Sequence, residues 1–348
     1  YRDNSFLKKE LGREIYMKKH KWNILFLTSI LAFTVYISMD TFVISRAYQV
    51  NTTSVNTSAF ANTTTKAATS ATKTTKSSSA KNSTSSANKS KSETTVASNQ
   101  TKTSTDGGKE IKSYSQDGKN ISLKEYTYEN TKVYVADITL DSAQSLKTAF
   151  ASDTYGKNVT ETTSRIASEK NAILSINGDY YGAREDGYVI RNGVVYRDEA
   201  GNEDVLCIYA DGSMKVVDPS TVTAQELVNQ GVWQAFSFGP GLVSEGKVSV
   251  STDAEVGRAM ASNPRTAIGL IDNNHYLFVV SDGRTQESEG LSLYQLAQFM
   301  KGLGAKTAYN LDGGGSSTMV FQGSLINKPT TSGRDIRERK VSDIVYIG

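Results

Sequence analysis

Apolar and polar positions divide the chain into regions of different texture. Trp22 to Met39 is an almost uninterrupted apolar run, and its length suits a membrane helix, which needs roughly 20 residues. From about residue 48 to 105 the chain is Thr, Ser, Asn, Ala and Lys with almost no apolar residues. Such a stretch buries too little surface to offset its ordering entropy, so it is expected to be a disordered spacer. Beyond residue 106 the pattern becomes that of strands. Lys132 to Leu140 alternates with period two, and Ala172 to Ile176 reads as a buried strand.

Turn signals then pair the strands. Tyr188–Arg191, Asn192-Gly193 and Val194–Tyr196 make a strong hairpin signal. A second hairpin turns at Asp211-Gly212. A third pairs Thr266–Ile271 with Tyr276–Val280 across Asn273-Asn274. Helices are few. Thr223 to Glu226 is a capping box for a short one. Ser292 opens a longer one through about Leu303, ended by Gly304. Strands follow at Lys306–Asn310, near Thr318–Phe321 and near Ile344–Ile347. The expected fold is α+β, a strand-rich mixed sheet with a few packed helices. The expected organisation is a cytoplasmic tail (1–21), a transmembrane signal anchor (22–45), a linker (46–105) and one globular domain (106–348).

Charge changes the picture only at the N-terminus. Lys18, Lys19 and Lys21 precede the apolar run, with Arg13 further back, and only Arg46 closely follows it. The positive-inside rule then keeps the N-terminus in the cytoplasm and exports everything after residue 45. The rival reading is a cleavable signal peptide, with Ser45-Arg46-Ala47 as a weak cleavage site; both readings export the domain. A net charge of +3 gives no nucleic-acid footprint. Cys207 is the single cysteine, so no intrachain disulfide forms, and its alternation with strand neighbours marks it as a core residue. His275 is the one histidine outside the tail, beside a turn, which removes His-based triads and His-rich zinc sites.

Candidate chemistry gathers where strands end. The clusters are Asn177-Gly178-Asp179-Tyr180-Tyr181, Asn263-Pro264-Arg265-Thr266, Ser281-Asp282-Gly283-Arg284, and Asn310-Leu311-Asp312-Gly313-Gly314-Gly315-Ser316-Ser317. Each alone is compatible with a turn. The glycine run lacks P-loop spacing and no Lys follows it. Together, four strand ends supply Asp, Asn or Arg, and successive glycines let backbone N–H groups approach an anion.

The segments NGDYYG, NPRTAIG, VVSDGR and AYNLDGGGSSTM, in this order over about residues 130 to 348, resemble the phosphodiester glycosidase family. Bacterial members are often labelled exopolysaccharide biosynthesis proteins. The family often has Pro after its late Arg, where this chain has Arg339-Lys340. The resemblance implies hydrolysis of a sugar-1-phosphodiester in cell-envelope glycopolymer or exopolysaccharide. The departing phosphomonoester is a good leaving group, so strong general-acid help is less necessary. The implied roles are a carboxylate at the anomeric centre (Asp312 first, then Asp179 and Asp282) and phosphate contacts from Arg265, Arg284 and Arg191. Asn177 and Asn310 would hold sugar hydroxyls, Tyr180 or Tyr181 would stack under the sugar, and Gly313, Gly314, Gly315 and Ser316 would line the anion site. Glu289 beside Gly290 reads as a helix-approach residue. No cofactor is required, though Ca²⁺ or Mg²⁺ would accept these oxygen donors. The expected partners are a phosphorylated polysaccharide or glycosyl phosphate, and the bilayer through residues 22–45. Two other classes stay open: a non-catalytic binder of anionic polysaccharide, and a phosphodiesterase cutting the other P–O bond.

Overall fold

The structure, a computed structural model, describes residues 4–48, 107–254 and 262–348. The expected linker lies outside the described residues except for Arg46–Tyr48. The apolar run sits in one long helix, Asn4–Phe42, which begins well inside the segment expected to be a tail. Its stretch His20–Thr41 is long and apolar enough to cross a membrane, a property shared by anchors and signal sequences.

The domain is α+β and strand-rich, with its strands in three principal sheets whose registered pairs are antiparallel. The largest sheet has eight strands. At its centre Arg265–Asp272 lies between Thr307–Leu311 and His275–Ser281, and Thr131–Leu140 pairs with the far side of His275–Ser281. One five-stranded sheet is built around Leu174–Asn177, flanked by Met319–Phe321 and Asp343–Ile347. The other contains Val189–Arg191, Val205–Tyr209 and Val232–Phe236.

Period two explains how the large sheet buries both faces. Ile268, Phe278 and Val280 point into a core shared with Leu174, Ile176, Leu206, Phe236, Met319 and Val345 of the smaller sheets. Their neighbours Ala267, Leu277 and Val279 point the other way, against Leu296, Phe299 and Met300 of the helix Leu293–Gly302. That helix starts at Ser292 through a formed capping box, as does Ala224–Asn229 at Thr223. The hairpin at Asn192-Gly193 has positive φ at both turn residues (53° and 78°), as a type I′ turn requires. The helix Thr163–Glu169, which the hydrophobic pattern did not announce, packs Ile166 and Ala167 on Val320 and Ile344.

Candidate active site

Strand register brings the candidate residues to one end of the molecule. In the large sheet Thr266 faces Leu311, Arg265 faces Ser281, and Ser281 faces Val133. Asp312, Arg265 and Asp282 therefore end adjacent strands on the same edge. In the smaller sheet Asn177 faces Ile344, and Met319 faces Ile176, so Asn177, Thr318 and Asp343 share an edge. Asn177 joins the two edges. Its Nδ2 donates to the Asp312 carbonyl at 2.6 Å. Its Oδ1 accepts from Thr266 Oγ1 at 2.8 Å and from the Thr318 N–H at 3.2 Å.

The bonding of Asn177 makes it the joint between sheets. It is fully buried, so the expected contact with a sugar hydroxyl is corrected: its polar atoms are already engaged. Asn310 is buried too, donating Nδ2 to the Gly239 carbonyl at 2.8 Å. Its Oδ1 has no hydrogen-bond partner among the described residues.

Arg191 and Asp179 also turn inward. Arg191 is 2% exposed. Its Nη2 donates to Asp179 Oδ1 at 2.8 Å, its Nε to Asp343 Oδ2 at 2.9 Å, and its Nη1 to the Ala235 carbonyl. The guanidinium lies 4.4 Å from the Phe236 ring centroid. Asp179 Oδ2 accepts the Ser237 N–H at 3.0 Å. Neither the phosphate role of Arg191 nor the catalytic role of Asp179 fits this arrangement. A buried carboxylate–guanidinium–carboxylate network ties three strand ends together, and breaking it would strand an unpaired charge. Burial pushes the Asp343 carboxyl up to about 7, against the opposing charge of Arg191.

Tyr181 is likewise corrected. It is buried among Phe150, Tyr155 and Arg191, stacked on Tyr155 at 5.2 Å, and offers no ring to a sugar. Its neighbour Tyr180 is 46% exposed, held outward by a left-handed backbone (φ 69°). Asp282 accepts the Lys328 N–H at 2.7 Å and is buried, which raises its pKa. No bond links it to Asp312, so its catalytic role is not supported by the geometry.

Asp312 differs from Asp179 in degree, with 11% of its side chain exposed against 1%. Arg339 Nη2 donates to both oxygens, at 3.2 and 3.0 Å, and to the Gly313 carbonyl at 3.2 Å. Arg339 Nε donates to Ser316 Oγ at 2.8 Å. Burial raises the Asp312 pKa, opposed by the Arg339 charge, the Ser316 hydroxyl and the Gly313 N–H.

The glycine run makes a 3₁₀ turn, Gly314–Ser316, pressed between neighbours. Gly314 donates its N–H to the Pro264 carbonyl at 2.8 Å and has φ 60°. A Cβ on Gly315 would collide with Thr331 Oγ1. Arg284 borders the turn, with Nη2 3.0 Å from where a Cβ on Gly314 would lie. It donates Nε and Nη2 to Asn263 Oδ1 at 3.1 and 2.7 Å, and Nη1 to the Thr331 carbonyl at 2.6 Å. Arg265 is 3% exposed, runs beneath Gly313 and donates Nε to the Leu291 carbonyl at 2.8 Å. It underlies the turn as a buried positive charge; an open fork for phosphate is not what the geometry shows.

The residue missing from the sequence-based set is Arg339. Its one signal was its place as the late Arg of the resembling segments; nothing local in Arg339-Lys340-Val341 points to Asp312. Among the described residues, no group of three or more His, Cys, Asp or Glu is arranged to hold a metal.

Known proteins are similar to this chain. The SPbeta prophage-derived uncharacterized protein YomE of Bacillus subtilis is 31% identical over 201 residues, covering 56% of this chain and 30% of that protein. The N-acetylglucosamine-1-phosphodiester alpha-N-acetylglucosaminidase of Mus musculus is 36% identical over 86 residues, covering 24% of this chain and 16% of the mouse protein. The chain thus spans less than a third of the length of either relative. Among solved structures, the zebrafish N-acetylglucosamine-1-phosphodiester alpha-N-acetylglucosaminidase catalytic domain, auto-inhibited by its pro-peptide, superposes with a TM-score of 0.53. It is 21% identical, over 69% of this chain and 87% of that one, a likeness of fold. The family model described as phosphodiester glycosidase matches residues 170–348, just over half of the sequence and all of the strand ends around Asp312. The chain belongs to the phosphodiester glycosidase family.

Proposed function

We propose that the domain works outside the cytoplasm as a hydrolase of a sugar-1-phosphodiester in cell-envelope glycopolymer or exopolysaccharide, breaking the glycosyl C–O bond. The observation that carries this reading is the Asp312 carboxylate. Its side chain is 11% exposed and paired with Arg339, next to the glycine turn that Arg284 borders. A phosphate seated against Arg284 and Arg339 would meet two guanidinium groups, which match phosphate oxygens by charge and shape. The anomeric carbon of the sugar bonded to that phosphate would then face Asp312, acting as nucleophile or as the base that activates water. The C–O bonding electrons leave with the phosphate oxygen, where the two cations stabilise the growing charge. Water supplies the hydroxyl to the sugar.

Hydrolysis in heavy-oxygen water tests the bond cleaved. Label in the sugar supports C–O cleavage; label in the phosphate assigns the chain to P–O cleavage instead. Asp312→Asn separates enzyme from binder. A fall in kcat of at least about 1000-fold with ligand affinity retained is expected for loss of the group that makes or activates the nucleophile. A wild-type protein that binds phosphorylated polysaccharide without turning it over would return the domain to the binding class.

A further inference from the structure

The segment that follows the apolar helix packs onto the domain. A two-residue strand, Arg46–Ala47, pairs antiparallel with Gly156–Lys157, Arg46 opposite Lys157 and Ala47 opposite Gly156. The Tyr48 N–H donates to the Tyr155 carbonyl at 2.9 Å, and Ser45 Oγ donates to the Asn158 carbonyl at 2.8 Å. Asn158 Nδ2 donates to the carbonyls of Thr41 and Ile44, each at 3.1 Å. The Tyr48 ring centroid lies 5.5 Å from that of Tyr155, which stacks on Tyr181.

Gly156 is fitted to this crossing. A Cβ there would fall on the Arg46 carbonyl oxygen, and the next atoms it meets are the Arg46 carbonyl carbon at 2.8 Å and Ala47 Cα at 2.9 Å. All three belong to the segment after the helix. Gly156 has no positive φ, so the domain's own backbone does not require glycine at this position.

The edge adjoins the candidate site. The Asn158 N–H donates to the Gly182 carbonyl at 3.1 Å, in the turn after Asn177–Tyr180. Glu161 bridges Val341, two residues beyond Arg339.

We propose that residues 45–48 are a membrane-proximal clip that seats the site end of the domain at the surface of the bilayer crossed by the apolar helix. The apolar span ends at Thr41, and seven residues of chain reach at most about 25 Å. The Gly156–Asn158 edge is therefore held near the bilayer, although 58 residues separate Tyr48 from Gly107. A two-residue ladder is weak between separate molecules, but within one chain it acts at an effective concentration in the millimolar range. Resting on the proposed hydrolysis, the clip also narrows the substrate class, favouring phosphodiesters borne on membrane-linked chains over those free in solution.

The test uses the full chain in lipid nanodiscs. Cys207 is buried, so introduced thiols react alone. Under mild oxidation R46C/K157C should form its disulfide at least about tenfold faster than R46C/K247C, because only the first pair is clipped together. Adding G156V, or the milder G156A, should bring the rate down to that of the control while the domain keeps its melting temperature. A fluorophore on E185C should be quenched by lipids carrying a headgroup nitroxide, and G156V should remove the quenching. Disulfide formation at the control rate, or quenching unchanged by G156V, overturns the clip. These readouts do not involve turnover: a quenched protein that hydrolyses nothing refutes the enzyme reading alone, and an active protein without quenching refutes the clip alone.

Discussion

Replacing Arg339 by glutamine removes the cation that faces Asp312. Burial already pushes the Asp312 pKa up, and Arg339 is the largest opposing influence. Two unit charges about 4 Å apart interact by about 4 kcal/mol at an effective dielectric constant near 20. The Arg339 side chain is 40% exposed, and solvent screening reduces the figure to about 1–2 kcal/mol. In the proposed hydrolysis Asp312 must be ionised to attack or to activate water. The acidic limb of kcat/KM against pH should therefore move up in Arg339→Gln. Arg339→Lys keeps the charge and should return most of the limb, while recovering less of the phosphate affinity. Arg284→Gln is the control, since Arg284 borders the glycine turn without a bond to Asp312; it should weaken binding and leave the limb in place. The assay is a pH series on one sugar phosphodiester at fixed ionic strength. An acidic limb that stays still or moves down in Arg339→Gln would refute the electrostatic pairing.

Other outcomes follow from the buried parts of the site. Arg191→Met leaves Asp179 and Asp343 buried without their cation and should cost about 3–5 kcal/mol in urea unfolding; adding Asp179→Asn and Asp343→Asn should recover part of that. Asp343 has a folded pKa near 7, above its unfolded value, so its contribution is full below about pH 4 and is lost as pH rises toward 7. Asp343→Asn should accordingly make the stability-against-pH curve less negative in slope between those values; an unchanged slope would place the proton elsewhere. Gly315→Ala forces a methyl onto Thr331, an overpacking of about 1–3 kcal/mol, and should lower the melting temperature by about 3–10 °C. An unchanged melting temperature would mean that the glycine turn is loosely packed.

Much of the fold was legible because its signals are local. The hairpin at Asn192-Gly193 needs two positive φ values, and that dipeptide supplies them at little steric cost. The capping boxes at Thr223 and Ser292 are satisfied within four residues. The apolar run of the first helix is a matter of length and composition. The strand-end clusters were visible for the same reason, since Gly, Asn and Asp gather where strands must stop and turn. What the sequence left open was the direction in which each side chain points. Asp179 and Asp312 look alike locally, each following a strand and an Asn. Asp179 is drawn inward because Arg191 and the Ser237 N–H, brought from other strands, meet it there. Asp312 keeps 11% of its side chain exposed because its partners are the surface Arg339 and the edge of a glycine turn. Tyr180 and Tyr181 are adjacent yet divided between solvent and core by one left-handed backbone angle. Composition, periodicity and turn chemistry act over a few residues, so the sequence alone determined most of the elements, while its four segments carried the resemblance to a family. Charge pairing across 27 residues between Asp312 and Arg339, and 152 between Arg191 and Asp343, depends on how the sheets close. Only the tertiary structure could decide which carboxylate pairs with which guanidinium.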